Sequence, residues 1–305
     1  MSKDRSEILV VVGPTASGKT ALAVRLAEVL GGEIVTADSV QVYRRFDIGA
    51  GKPTSDERAR ARHHLIDVVE PLEPMDASRF AELADRAIVE IRGRGRVPIV
   101  CGGTFLWVRA LLYGLAEAPP GDLAIRDAHR AVAETEGRDA LHRRLAAVDP
   151  VAAERLAPND FVRVSRALEV YEQSGVPLTT WHERHGFRER RHVARLVGIE
   201  RTGPELDGRI AARTQAMLDA GWVDEVRALL ADGFGDARPM KAVGYRQIAE
   251  ALARGVFERD ELAAEIVRKT RVFARRQRTW LKDEPVLWLA EPERRSDVEL
   301  ERSVQ

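Results

Sequence analysis

The residues best suited to chemistry in this sequence form a short glycine-rich segment near the amino terminus. Gly13 is followed after four residues by Gly18, Lys19 and Thr20. Glycines let the backbone turn so that successive amide N–H groups point at a phosphate, Lys19 adds a positive charge, and the Thr20 hydroxyl can ligate Mg²⁺. The spacing predicts a P-loop made of Gly13, Pro14, Thr15, Ala16, Ser17, Gly18, Lys19 and Thr20. The motif alone does not say which phosphate compound it binds.

The elements around this loop indicate a parallel sheet. Residues 8–12 form an apolar run typical of a buried strand, and residues 21–30 are rich in alanine and leucine, as in a helix. A second strand is predicted at 33–37, and Asp38 follows it. Ligands of open parallel sheets bind outside the carboxyl ends of the strands, so Asp38 and the P-loop should face one crevice. Alternatively, Asp38 only caps a short helix that begins at Ser39.

Length and composition narrow the class of protein. The chain has 305 residues, 45% of them hydrophobic and 31% charged, which is typical of a globular protein. The 48 basic residues balance the 48 acidic ones, so attraction for nucleic acid must come from local clusters of charge. The single cysteine, Cys101, forms no intrachain disulfide, and no apolar run is long enough to span a membrane. With its charged start, we expect a cytoplasmic monomer without a membrane segment.

The rest of the pattern predicts two domains. A third strand at 65–69, a helix at 77–93 and a fourth strand at 97–101 continue the alternation of a doubly wound α/β sheet. The composition changes at 118–121, and a helical pattern then extends to about residue 195, before a strand at 196–199. We therefore predict a discontinuous α/β core, residues 1–118 and 196–305, with an inserted all-helical domain at 119–195.

The last long helix carries a basic face. A core stripe is predicted at Leu262, Ile266, Phe273 and Trp280. Basic residues recur every three or four positions on another face, at Arg268, Arg271, Arg275, Arg278 and Lys282. No acidic residue lies between Ile266 and Lys282, whereas a solvated helix surface would normally alternate acids with bases. The pattern favours binding to a phosphate backbone. The polar tail from residue 292 onward is predicted to be frayed.

Taken together, these segments closely resemble tRNA dimethylallyltransferases over nearly the whole chain. The resemblance is carried by GPTASGKT at 13–20, ADSVQVYRRFDIGAGKP at 37–53, HHLIDVVEP at 63–71, GGT at 102–104, PNDFVRVSRALEVY at 158–171, AVGYRQ at 242–247 and RRQRTW at 275–280. It implies a P-loop NTPase-like core with an inserted helical domain. It also implies transfer of a dimethylallyl group from dimethylallyl diphosphate to N6 of the adenine 3′ of the tRNA anticodon, position 37.

Position by position, the resemblance implies roles for individual residues. Asp38 would be the base, the P-loop would bind the diphosphate with Mg²⁺ near Thr20, and Arg213 would be a further diphosphate ligand. Contacts to the target nucleotide are implied for Asp38, Ser39, Val40, Gln41 and Thr104. Contacts to the anticodon stem-loop are implied for Arg126, Val162, Arg163, Val164, Ser165, Arg166, Lys241, Gly244, Tyr245, Arg246, Arg275, Arg276, Gln277, Arg278 and Trp280. The family usually has GGTGLY, but Phe105 and Trp107 occupy the two aligned positions here, which alters the expected shape of the allyl pocket.

Two other functions are compatible with the P-loop. A small-molecule kinase would place its phosphoryl acceptor near Asp38 but leaves the basic helix unexplained. A non-catalytic, nucleotide-dependent RNA-binding switch would explain the basic helix but not the position of Asp38.

Overall fold

The structure is a computed structural model that describes residues 7–186, 189–255 and 258–304. The chain divides into two compact units, one made of Met1–Leu112 with Arg191–Gln305 and the other of Tyr113–Arg190. The predicted domain boundaries, at 118/119 and 195/196, lie within a few residues of this division. Within the described ranges, no helix is both long and apolar enough to cross a membrane.

The first unit is built on a six-stranded parallel sheet. The strands are β1 (Ile8–Val12), β2 (Gly32–Ala37), β3 (His63–His64), β4 (Val97–Gly102), β5 (Ala194–Ile199) and β6 (Val286–Leu289). Their order across the sheet is β3-β2-β4-β1-β5-β6. All five residues of β1 are buried, which explains its uninterrupted run of β-branched and leucine side chains. The doubly wound α/β class predicted from the sequence is confirmed.

The rest of the regular structure is mainly helical. The helices are α1 (Lys19–Leu30), α2 (Ser55–Arg60), α3 (Ala77–Gly93), α4 (Phe105–Tyr113), α5 (Leu123–Thr135), α6 (Arg138–Val148), α7 (Pro150–Arg155), α8 (Phe161–Ser174), α9 (Leu178–His185), α10 (Gly203–Asp219), α11 (Trp222–Ala231), α12 (Tyr245–Arg254), α13 (Arg259–Trp280) and α14 (Asp297–Val304). The second unit contains α5 to α9, and its core joins Leu141, Leu145, Val164 and Leu168. This unit is the predicted inserted helical segment.

The predicted third strand at 65–69 is wrong. The strand that pairs with β2 is His63–His64, and it ends there because Leu65 and Asp67 have left-handed backbone angles, with φ of 62° and 58°. Beyond this turn, the amides of Val68 and Val69 both donate to the carbonyl oxygen of Val42. The segment therefore packs on the loop after β2 instead of extending the sheet.

The predicted core stripe of α13 is wrong in its second half. Leu262 and Ile266 are buried, but Phe273 and Trp280 are 43% and 44% exposed. Ala274 and Gln277 are buried instead. Ala274 packs in one apolar cluster with Ala16 of the P-loop and with α10, and its small side chain permits this close approach. Contact with the P-loop, and not hydrophobicity alone, decides which face of α13 turns inward.

The predicted fraying of the carboxyl-terminal tail is also wrong for the described residues. Leu300 and Val304 of α14 are buried in one apolar cluster with α1. Arg25 of α1 donates to the carbonyl oxygens of Pro292 and Arg295, at 2.8 and 2.9 Å. The tail therefore covers the outer side of the helix that begins at the P-loop.

Candidate active site

The P-loop connects the end of β1 to the first residue of α1. Gly18 has φ +97° and Gly13 has φ +154°, and a Cβ atom on Gly13 would lie 2.8 Å from Oγ of Ser17. Ala16 also has a left-handed conformation, with φ 63°, which costs free energy for a residue with a side chain. The Ser17 hydroxyl is buried and has no hydrogen-bond partner among the described residues. This geometry is the cradle that the sequence predicted.

Three distant side chains hold the cradle from outside. Gln277 Oε1 accepts from the Thr15 amide at 2.8 Å. Arg209 Nε donates to the Ala16 carbonyl oxygen at 2.8 Å, and Arg201 Nε donates to that of Ser17 at 3.2 Å. The conformation of the loop therefore depends on side chains from distant segments of the chain.

Asp38 follows β2, as predicted, and its carboxylate holds a turn. Oδ1 accepts from the Val40 amide at 2.9 Å and from the Gln41 amide at 3.3 Å. Residues 39–42 form turns and Tyr43 forms an isolated bridge with Val69, so the helix that Asp38 would cap is not there. The Ser39 amide donates to Oγ1 of Thr104 at 3.0 Å, which connects this turn to the segment after β4.

Asp38 lines the same pocket as Lys19 and Thr20, the last two residues of the P-loop, as the strand-end rule predicted. The pocket is lined by Lys19, Thr20, Ala23, Ile34, Thr36, Asp38, Gln41, Pro53, His63, Cys101 and Gly102. Burial lowers the pKa of the Lys19 ammonium, although Cys101 and Asp38 oppose the shift. Burial raises the pKa of the Cys101 thiol to about 12, so this thiol stays neutral and is a poor nucleophile.

Arg213 approaches this site from α10. Its guanidinium lies against Gly51, where any Cβ atom would collide with it. Burial lowers the pKa of Arg213, while the Asp38 carboxylate partly restores it, so the two charges interact. Lys19, Asp38 and Arg213 thus form one electrostatic group, although they come from three separate segments of the chain.

Phe105 and Trp107 do not line the pocket. They are the two bulky residues that depart from the usual family pattern after Thr104. Phe105 and Trp107 are both buried in α4. The Trp107 ring stacks on Phe80 of α3, with 4.7 Å between ring centroids and 19° between planes. The extra bulk therefore fills space between α3 and α4.

The predicted RNA-contacting residues separate into exposed and buried groups. The exposed ones are Val162, Arg163, Lys241, Arg246, Arg275, Arg276, Arg278 and Trp280. The buried ones are Val164, Ser165, Gly244, Tyr245 and Gln277. Direct RNA contact by the side chains of this second group does not agree with the structure, because they are enclosed by protein.

The buried members have internal partners instead. Ser165 Oγ bonds to Nδ1 of His129 at 2.9 Å. The Tyr245 hydroxyl donates to Glu225 at 2.6 Å and accepts from the Ala50 amide at 3.0 Å. Glu225 also accepts from the amides of residues 47–49 and so fixes the loop after Asp38. No pattern in the sequence signals this role, since Glu225 looks like an ordinary acid on a helix surface.

Four of the arginines assigned to RNA are already paired. Arg163 pairs with Asp160 at 3.4 Å and Arg246 with Glu250 at 3.9 Å. Arg126 and Arg166 lie 3.0 and 2.7 Å from the carboxylate of Glu169, whose side chain is fully buried. Burial opposes ionisation of Glu169, but hydrogen bonds from Arg166, the Asp122 amide and Arg126 prevail and lower its pKa. Arg126 and Arg166 satisfy a buried charge inside the helical unit, so they are not free cations for a phosphate.

The basic face of α13 is mostly unpaired. Arg268, Arg275 and Arg278 are exposed and have no ion pair within the described part of the chain. Lys282 is also exposed and unpaired there, but it lies beyond α13, which ends at Trp280, so its predicted place on the helix is wrong. Arg271 is the exception, because it pairs with Asp207 of α10 at 3.3 Å. Four of the five predicted positions therefore offer free positive charge.

Together these features define an α/β P-loop protein whose phosphate cradle shares a pocket with a carboxylate and whose last long helix exposes a basic face. A family model described as IPP transferase matches residues 41–284, and one described as isopentenyl transferase matches residues 6–73. The chain belongs to the IPP transferase family and is a transferase.

Curated relatives and solved structures agree with this assignment. A tRNA dimethylallyltransferase of Sorangium cellulosum is 65% identical over 94% of this chain and 91% of its own length, and one of Anaeromyxobacter dehalogenans is 53% identical over 93% and 95%. The full-length tRNA isopentenylpyrophosphate transferase of Bacillus halodurans has a TM-score of 0.71 at 33% identity, covering 97% of this chain and 94% of that one. A eukaryotic dimethylallyltransferase at 24% identity and TM-score 0.73 shares the fold.

Proposed function

We propose that this protein transfers a dimethylallyl group from dimethylallyl diphosphate to N6 of adenine 37, next to the anticodon, in tRNA. The observation that carries the proposal is the shared pocket of the P-loop and Asp38, because this reaction needs a diphosphate site and a proton acceptor side by side. The names of the relatives support the same donor group and acceptor RNA. Family membership also favours a transferase over a small-molecule kinase or a nucleotide-dependent switch.

The chemistry explains why these residue types are needed. The N6 lone pair of adenine is delocalised into the ring, so the reaction depends on departure of the diphosphate from the allylic carbon. The C1–O bond breaks, the N6–C1 bond forms, and negative charge accumulates on the departing oxygens. In this proposal the P-loop amides, Lys19 and Arg213 stabilise that charge, and preorganised stabilisation of this kind is usually the largest catalytic contribution. Asp38 accepts the proton that N6 loses.

A divalent cation fits this proposal. Mg²⁺ prefers oxygen ligands and commonly combines one or two protein oxygens with phosphate oxygens and water. The Thr20 hydroxyl lines the pocket and supplies an oxygen ligand of this kind. Mg²⁺ bound there would neutralise charge on the diphosphate.

The acceptor requires a separate surface. Adenine 37 is stacked in the anticodon loop and must leave the stack to reach a pocket. The unpaired cations of α13 would hold the RNA backbone while the base is extruded. With tRNA as the acceptor, we place the reaction in the cytoplasm and expect a monomer to suffice, because every residue assigned to the chemistry lies in one chain.

Mass analysis of tRNA nucleosides tests the proposal. The protein is incubated with bulk tRNA and either dimethylallyl diphosphate or ATP, and the RNA is then digested. We expect one adenosine to gain a dimethylallyl group in place of a hydrogen, only with the allylic diphosphate. Lys19→Ala is the control for contaminating activity. Hydrolysis of ATP with unmodified RNA would favour the switch, and phosphoryl transfer to a small molecule would favour the kinase.

A further inference from the structure

Gln277 is an unusual residue for its position in α13. Its neighbours Arg275, Arg276 and Arg278 are exposed, whereas Gln277 is only 6% exposed. Both halves of its side-chain amide are used, because Oε1 accepts from the Thr15 amide at 2.8 Å and Nε2 donates to the Gly103 carbonyl oxygen at 2.9 Å. One side chain of the basic helix therefore joins the P-loop to the segment after β4.

The hydrogen bond from Gln277 to Gly103 leads to the residues next to Asp38, the proposed proton acceptor. A Cβ atom at Gly103 would lie 2.5 Å from Nε2 of Gln277, so the close approach requires glycine there. The next residue, Thr104, donates its amide to the Ala37 carbonyl oxygen and accepts from the Ser39 amide. Ser39 directly follows Asp38. The Gln277 amide thus connects the basic helix to both sides of the pocket.

We propose that Gln277 is a positioning residue that couples RNA binding on α13 to diphosphate binding in the P-loop. The inference rests on the proposed function, because it assumes that RNA binds the exposed cations of this helix. RNA bound there restricts the helix, and through Gln277 it restricts the P-loop. The P-loop then loses less conformational entropy when the diphosphate binds, so the diphosphate binds more tightly. The coupling must be reciprocal, so diphosphate tightens RNA binding by the same factor.

Calorimetry on the full chain measures this coupling. The P-loop ligands are inorganic pyrophosphate and dimethylallyl S-thiolodiphosphate, each titrated with and without an anticodon stem-loop RNA. In the unchanged protein we expect RNA to lower the dissociation constant of the diphosphate by about fivefold or more. In Gln277→Met, which keeps the length of the side chain but cannot donate to Gly103, the factor should fall to about one.

Two further variants separate positioning from general damage. Gln277→Glu can still accept from the Thr15 amide, so it should keep part of the coupling. Gln215→Leu makes a comparable polar-to-apolar change on an exposed part of α10 and should leave the coupling factor unchanged. Hydrogen exchange supplies a readout without any diphosphate: RNA should protect the P-loop amides in the unchanged protein but not in Gln277→Met.

The outcomes distinguish this proposal from the proposed function. Suppose that the unchanged protein modifies tRNA but shows a coupling factor near one. This result would overturn the role of Gln277 and leave the proposed function intact. An undiminished factor in both Gln277 variants would overturn it as well. If pyrophosphate shows the coupling and its loss in Gln277→Met, but the thiolodiphosphate does not bind and tRNA is not modified, the coupling stands and the proposed function is wrong.

Discussion

The P-loop and the basic face of α13 are two binding surfaces with opposite designs. Around the P-loop, backbone groups of Thr15, Ala16 and Ser17 are already hydrogen-bonded to distant side chains. On α13, Arg275 and Arg278 are exposed and form no ion pair within the described residues. One surface is fixed by protein contacts, and the other keeps its charges available.

The difference follows from the ligands proposed for each surface. A small diphosphate whose charge changes during the reaction is best stabilised by groups that need not move. A long polyanion is bound by release of its counterions, which needs free cations but little fixed geometry. Four variants, one of them a double substitution, test this contrast, and they are ordered here by the size of the expected effect.

Asp38→Asn should have the largest effect. Asparagine keeps the shape and can still accept from the amides of Val40 and Gln41, but it cannot accept a proton. We expect both substrates to bind while the single-turnover rate falls by roughly 10²- to 10⁴-fold, the usual range for loss of a general base. Rapid-quench kinetics at saturating diphosphate and tRNA measures this rate. A near-normal rate would remove Asp38 from the chemistry.

Lys19→Ala should separate the two surfaces. The Lys19 ammonium lines the pocket and burial shields it from water, so its charge acts strongly on a bound diphosphate. We expect the affinity for pyrophosphate to fall by roughly 10- to 100-fold, the range for losing a charge-assisted hydrogen bond. Binding of tRNA, measured by fluorescence anisotropy, should change little. An equal loss in both affinities, with tRNA binding measured in the absence of diphosphate, would mean that Lys19 also contributes to RNA binding.

The double change Arg275→Gln with Arg278→Gln should do the reverse. We expect weaker tRNA binding and a salt dependence that is shallower by roughly 0.7 to 0.9 logarithmic units for each RNA phosphate that the protein no longer neutralises. Affinity is measured over a series of salt concentrations. Arg271→Gln is the matched control, and it should change the slope less because Asp207 already neutralises Arg271. An unchanged slope in the double variant would make the face ordinary solvated surface.

The sequence predicted the features that depend on neighbouring residues. The P-loop is a local pattern, and Asp38 could be placed beside it because parallel strands end at one edge of a sheet. The inner role of Gln277 depends on a residue 262 positions away in the chain, so helical periodicity could not reveal it. Helical periodicity also wrongly assigned Phe273 to the core, because periodicity alone does not show which surface of the protein the helix packs against.

The edge of the sheet shows a second kind of limit. Leu65 and Asp67 adopt left-handed backbone angles, which aspartate tolerates but leucine rarely adopts, so Leu65 gives no local sign of the turn. The apolar run at 65–69 therefore resembled a strand. Only the packing of that segment against the loop after β2 imposes the turn.

Arg209→Gln should have the smallest effect. It tests how much a contact on the outside of the P-loop contributes to diphosphate binding. Arg209 holds the Ala16 carbonyl oxygen at 2.8 Å, but the residue is exposed, so water screens its charge. We expect pyrophosphate to bind about two- to fivefold more weakly, the range for an exposed charged contact. Arg254→Gln removes an exposed charge from the end of α12 and should have no effect in the same calorimetric titration. If both variants lose the same affinity, net charge matters and the contact to the loop does not. A loss as large as that of Lys19→Ala would mean that the outer contacts determine the shape of the P-loop as strongly as the residues that face the ligand.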